Sequence, residues 1–247
     1  MPLLNNSAMQ NHSIGGSNYG FSGKRIEDLG ASEYTLVTIV TDVSGSVWGF
    51  KDEIEKCVKE VVKACKHSPR SDYLLIRFVT FNTSLNEIHG FKPLADCNLA
   101  DYDGSIRPGG LTALFDASYN AIESENQYGE SLTKQDYDVN GIVFVITDGG
   151  DNASTATATT VGQVLAKAVT GEHLESMVSV LIGVNVQAPS LSQLLQDFAT
   201  KAGFSQYEEI ANADEKTLAK LASFVSRSIS SQSQSLGTGG PSQSLVF

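Results

Sequence analysis

Three short stretches carry oxygen donors at spacings that suit a hard cation. Asp42-Val43-Ser44-Gly45-Ser46 sets a carboxylate and two hydroxyls at alternate positions of a tight turn, so their oxygens can converge on one point. Oxygen-only ligands favour Mg²⁺, Mn²⁺ or Ca²⁺ over zinc or copper. Further on, Gly109-Gly110-Leu111-Thr112 delivers a hydroxyl at the start of a predicted helix, and Asp148-Gly149 presents a second carboxylate. Each residue also has a purely structural reading. Asp42 and Thr112 suit helix N-caps, and an aspartate before glycine suits a turn.

The elements around these stretches decide between the readings. Tyr34 to Thr41 is β-branched and almost continuously apolar, the pattern of a strand covered on both faces. It stops at the acidic turn. Phe50, Ile54, Cys57, Val58, Val61, Val62 and Cys65 then recur at helical spacing, predicting a helix near 48–67. Ile142 to Thr147 is a second buried-strand pattern, and it stops at Asp148. Open α/β sheets bind ligands at strand carboxyl ends, where strand order switches.

Asp-x-Ser-x-Ser, then Gly-Gly-x-Thr, then Thr-Asp-Gly, each at a strand end or helix start, closely resembles the von Willebrand factor type A (VWA) domain and its metal-ion-dependent adhesion site (MIDAS). The resemblance spans about Glu33 to Ser228. It implies an open, doubly wound, mostly parallel α/β sheet of Rossmann-like type, with one antiparallel edge strand and helices on both faces. It also implies roles. The Ser44 and Ser46 hydroxyls would bind the cation directly and Thr112 would join them on engagement. Asp42 and Asp148 would lie beneath it, in direct contact or through water. A protein partner's Asp or Glu would complete the octahedron.

Elsewhere the pattern predicts strands at 72–81, 177–184 and 206–210, with Leu85 to Phe91 returning as a hairpin edge strand. A helix carries Leu114, Phe115, Ala117, Ser118, Ala121 and Ile122, and the polar stretch 123–140 reads as loop. Further helices fall at 158–170, 191–202 and 217–229. Residues 1–32 read as a flexible arm, 33–229 as the VWA domain, and 230–247 as a Ser/Gln/Gly-rich tail. The tail's apolar tip, Leu245-Val246-Phe247, is a candidate docking element for a partner or a neighbouring copy.

A formal charge of −11 argues against nucleic acid, because phosphate binding needs a basic face. Lys63, Lys66, His67 and Arg70 suit the carboxyl end of the first helix. No apolar run reaches membrane-spanning length, and the first residues show no secretory pattern. Cys57 and Cys65, about 12 Å apart along a helix, cannot pair, and with Cys97 they read as reduced thiols of a cytoplasmic protein. Asp116 reads as structural, Asp151 as added negative charge near the ion, and the four histidines as unpaired.

The expectation is a non-enzymatic, metal-dependent interaction module. One alternative is a structural subunit assembled through its terminal segments. Another is a metal-dependent phosphatase or phosphotransferase, against which Ser44 stands where a second carboxylate would act as general acid.

Overall fold

A computed structural model describes residues 9–171, 173–239 and 245–247. Eight strands form one sheet: β1 (Met9–His12), β2 (Phe21–Lys24), β3 (Glu33–Asp42), β4 (Leu74–Phe81), β5 (Leu85–Pro93), β6 (Asp138–Thr147), β7 (Met177–Val184) and β8 (Gln206–Ile210), in the spatial order β1-β2-β5-β4-β3-β6-β7-β8. The pairings from β4 through β3, β6 and β7 to β8 are parallel. β5 runs antiparallel to β4, and β1 antiparallel to β2.

Helices cover both faces. α1 (Lys51–Lys66) and α5 (Glu215–Thr238) lie on one face, where Val58 and Val62 pack with Leu221 and Val225 over Val37, Ile39 and Phe144. The other face holds α2 (Leu114–Thr133), α3 (Ala158–Thr170) and α4 (Pro189–Ala202), with Ala121, Leu165 and Leu195 over Leu36, Val40 and Val145. β3 is therefore buried on both sides, as its unbroken apolar pattern requires. From β3 the chain first builds outward through β4 and β5, then returns to lay β6 on the other side. That reversal puts the carboxyl ends of β3 and β6 side by side.

Three segments differ from the sequence reading. α2 continues to Thr133, so most of 123–140 is helix and strand rather than loop. Its second half hides a polar face: Arg77 of β4 donates to Asn120 Oδ1 at 2.8 Å and Ser124 Oγ at 3.1 Å, and hydrophobic periodicity cannot register such contacts. The N-terminal segment is not an arm over residues 9–24, because β1 and β2 extend the sheet past β5 and displace it from the edge. Phe21 supplies the grip, stacked on His12 at 4.6 Å and edge-on to Phe91 and Tyr128.

The third difference is the Ser/Gln-rich tail, which is helical to Thr238. Gln232 Nε2 donates to the Gly141 carbonyl at 3.1 Å and to Ser176 Oγ at 2.9 Å, while Asn140 Nδ2 donates to the Gln232 carbonyl at 2.7 Å. Residues 1–8 of the arm and 240–244 of the tail lie outside the described residues.

Candidate functional site

Asp42 is the last residue of β3 and only 2% exposed. Its Oδ1 accepts the Ser44 amide at 2.7 Å, folding the chain into a tight turn, and its Oδ2 accepts the Thr147 hydroxyl at 2.7 Å. Ser44 Oγ and Ser46 Oγ are 3.1 Å apart, and Ser46 Oγ donates to Asp148 Oδ1 at 2.9 Å. These five residues thus form one hydrogen-bonded patch across the ends of β3 and β6. α1 begins only after Phe50, so Asp42 is not its cap.

The glycine-rich loop closes over this patch. Gly109 N donates to the Val43 carbonyl at 2.9 Å, and Gly45 N to the Gly110 carbonyl at 3.3 Å. Gly110 sits at φ +78°, and a Cβ there would meet Thr83 Oγ1 at 2.7 Å. Only glycine combines that left-handed backbone with that clearance. At Gly45 a Cβ would lie 3.7 Å from the Gly110 carbonyl, an ordinary contact, so close approach is not what that glycine provides.

Thr112 is buried and is not the helix cap either, since that position falls on Ala113. Instead Thr112 N donates to Asn152 Oδ1 at 2.8 Å, and Asn152 N returns a bond to the Thr112 carbonyl at 3.0 Å. Its hydroxyl comes within 3.7 Å of where a Cβ on Gly149 would stand, beside Asp148. The following loop then caps α2 from outside. Asp151 Oδ1 accepts the Phe115 amide at 3.2 Å, and Ser154 Oγ accepts the Asp116 amide at 3.0 Å. Asp116 in turn accepts the Thr155 and Ala156 amides, a structural role.

The sequence reading gives Thr147, Asn152 and Ser154 no role in holding the site together. The signal was there: Asp-Asn-x-Ser after a strand is a run of side chains that bond nearby backbone groups.

Burial pushes the Asp42 carboxyl up to about 6, opposed by its bonds from Thr147 and Ser44. Asp148 is also raised by burial, with the Ser46 bond opposing. Neither carboxylate has an ion-pair partner among the described residues. No group of three or more His, Cys, Asp or Glu that could hold a metal occurs among them. The donor set is instead two under-compensated carboxylates and three hydroxyls, all oxygen, which fits a hard divalent cation and does not fit a soft one.

The tail's tip lies elsewhere, on its own domain. Gln206 Nε2 donates to the Leu245 carbonyl at 2.7 Å, and the Phe247 ring meets Phe224 edge-on at 5.7 Å. Cys57, Cys65 and Cys97 are free and buried. No helix among the described residues is long and apolar enough to cross a membrane.

No family model and no curated protein sequence matches this chain. Solved structures do. The PilB minor pilin from Streptococcus sanguinis aligns with a TM-score of 0.57 at 17% identity, covering 88% of this chain and 66% of the pilin. Proximal thread matrix protein 1 from the mussel byssus, solved with a zinc-occupied MIDAS motif, gives 0.53 at 21%, covering 81% of this chain and 46% of that one. The SpaC pilus adhesin from Lactobacillus rhamnosus GG, in its open conformation, gives 0.57 at 9%, covering 94% and 35%. The chain therefore spans less than two thirds of each of these proteins. What it shares with them is the fold, an α/β architecture of VWA-like, Rossmann type.

Proposed function

We propose that this chain is a non-enzymatic interaction module that engages a partner's Asp or Glu through a divalent cation held in a MIDAS-type site. Asp42, Ser44, Ser46, Thr112 and Asp148 would hold the ion. The supporting observation is the hydrogen-bonded patch at the sheet's switch point, where one buried and one half-buried carboxylate meet neighbouring hydroxyls without a basic side chain to balance them. The bound ion would supply residual positive charge to an incoming carboxylate. The two carboxylates formally balance a divalent ion, but they would lie beneath it while the three remaining donors are neutral hydroxyls, so the face open to a partner would stay electropositive.

The preferred ion is Mg²⁺, with Mn²⁺ and Ca²⁺ as alternatives of the same hard class. The byssus protein's zinc makes Zn²⁺ a necessary arm of the test. A reducing, cytoplasmic setting rests on the three buried, unpaired thiols alone. Assembly through the terminal segments has less support, since Leu245 and Phe247 pack on their own domain. Phosphotransfer has less support too, because no further carboxylate and no histidine bonds to the Asp42–Asp148 patch among the described residues.

Calorimetry with each of the four cations, on the wild type and on the Ser44→Ala, Ser46→Ala double variant, tests the reading. The expected result is millimolar or tighter Mg²⁺ uptake that the double variant loses while staying folded. Affinity capture in Mg²⁺ against EDTA then reports the partner. Absence of uptake of any of the four ions by folded wild type overturns the proposal.

A further inference from the structure

The candidate cation site is rimmed by apolar side chains that the fold leaves in water. Trp48, Leu111 and Leu194 are 62%, 54% and 45% exposed. A single exposed apolar residue is ordinary. These three come from separate segments, and each is tied to the site. Trp48 lies in the short 3-10 turn Gly45–Gly49, two residues after Ser46. Leu111 stands between Gly110, whose carbonyl accepts the Gly45 amide, and Thr112. Leu194 of α4 touches Gly150, so closely that a Cβ there would meet its Cδ2 at 2.7 Å. Gly150 is two residues past Asp148.

The charges around the rim have a consistent sign. Asp42, Asp148 and Asp151 lie at or beneath the site, Asp52 follows Trp48 on α1, and the chain carries −11 overall. Lys51 offsets this locally, its ammonium 5.6 Å from the Trp48 ring, but it already pairs with Asp52 at 3.9 Å. An incoming acidic run would place its second and third carboxylates against this field. One carboxylate at the cation with apolar neighbours on either side meets no such opposition, and those neighbours find desolvating partners in the rim.

Resting on the cation-site reading above, we propose that Trp48, Leu111 and Leu194 form a specificity collar. Its occupant is a segment of another protein carrying one Asp or Glu framed by aromatic or aliphatic residues. Trp48 is the anchor, since tryptophan is enriched among the few residues that carry most of an interface's binding energy.

Trp48 is also the chain's single tryptophan, so its emission reports on the collar directly. The probes are three amidated nonapeptides: an aspartate between phenylalanine and leucine in a glycine–serine frame, the same aspartate in glycine–serine alone, and five consecutive aspartates in that frame. Affinities are measured by calorimetry in Mg²⁺ and in EDTA, with Mg²⁺ uptake measured separately on every variant. The framed aspartate is expected to bind only in Mg²⁺, to shift Trp48 emission to the blue, and to exceed both other peptides by at least about tenfold. Trp48→Ala is expected to weaken it about 30-fold, and Leu194→Ser to weaken it less, with Mg²⁺ uptake unchanged in both. Normal Mg²⁺ uptake with equal binding of the peptides, with no binding of any, or with preference for the acidic run overturns the collar and leaves the cation site standing. Absence of uptake of Mg²⁺, Mn²⁺, Ca²⁺ and Zn²⁺ alike by the folded wild type overturns both.

Discussion

Glu125 should make this protein less stable as pH rises through neutrality. The residue lies on α2 and is wholly buried, and both carboxyl oxygens lack a hydrogen-bond partner within ordinary geometry. It packs so tightly on β6 that a Cβ at Gly141 would stand 2.3 Å from its Oε2. The facing Thr38 hydroxyl of β3 and the Arg77 guanidinium of β4 both favour the charged form, but Arg77 is committed to Glu87 at 2.7 Å and to α2's Asn120 and Ser124. Burial wins, pushing the carboxyl from its ordinary 4.5 up to about 8.

Between those values the native state keeps a proton that the unfolded chain has released. The group's contribution is therefore most favourable below the unfolded value and declines by about 1.4 kcal/mol per pH unit as pH climbs towards the folded one. Across the window this amounts to on the order of 5 kcal/mol, or roughly 10–20 °C in Tm for a domain of this size. Glu125→Gln removes the titration while keeping shape and a donor for Thr38. Thermal unfolding of both proteins at pH 5, 6, 7 and 8 should show near-equal Tm at pH 5 and a widening advantage for the variant above it. Asp42, Asp148 and His89 titrate in both proteins and cancel in the difference. Parallel Tm curves would refute the reasoning.

Asn152→Ala should strip the acceptor from the buried Thr112 amide, lowering stability by about 1–3 kcal/mol and speeding hydrogen exchange at that amide. Asn152→Asp, which keeps an acceptor, should restore protection there. Gln232→Ala removes both side-chain bonds between α5 and the Gly141–Ser176 region, and should lower the denaturant midpoint by an amount equivalent to about 1–3 kcal/mol; an unchanged midpoint would mean the polar seam carries no stability. The thiols of Cys57 and Cys65 are pushed up to about 12 and that of Cys97 to about 11 by burial. A thiol reagent at pH 8 should therefore modify none of them until the chain unfolds.

The parallel core was legible because each central strand is buried on both faces, and continuous β-branched runs at Tyr34–Thr41 and Ile142–Thr147 state that directly. The strand Met177–Val184 matched its sequence bounds for the same reason, whereas Gln206–Ile210 is a half-exposed edge strand whose bounds also matched. What hydrophobic pattern could not convey is order held by polar contacts. The second half of α2 is buried through Ser124, Glu125 and Asn126, and the end of α5 through Ser228, Gln232 and Ser233. Such faces look like loop or linker until the partners across from them are known. At the candidate site, Asp42, Ser44, Ser46 and Asp148 meet as their strand ends foretold. Asn152 stood in a run that announces side-chain-to-backbone bonds, but nothing in that run names Thr112, 40 residues away, as its partner.

The N-terminal hairpin joins the rest of the sheet by the single rung Gly23↔Phe91. Its hold comes from Phe21 in the aromatic stack and from Glu87, which accepts the Ser22 amide at 3.0 Å and the Ser22 hydroxyl at 2.6 Å. β2 crosses so near Gly90 that a Cβ there would meet the Ser22 carbonyl at 2.0 Å. The hairpin is thus fastened to the edge of β5 more by side chains than by backbone pairing. A methyl group at position 90 would push β2 off β5, and the parallel ladder at the centre of the sheet does not depend on that contact.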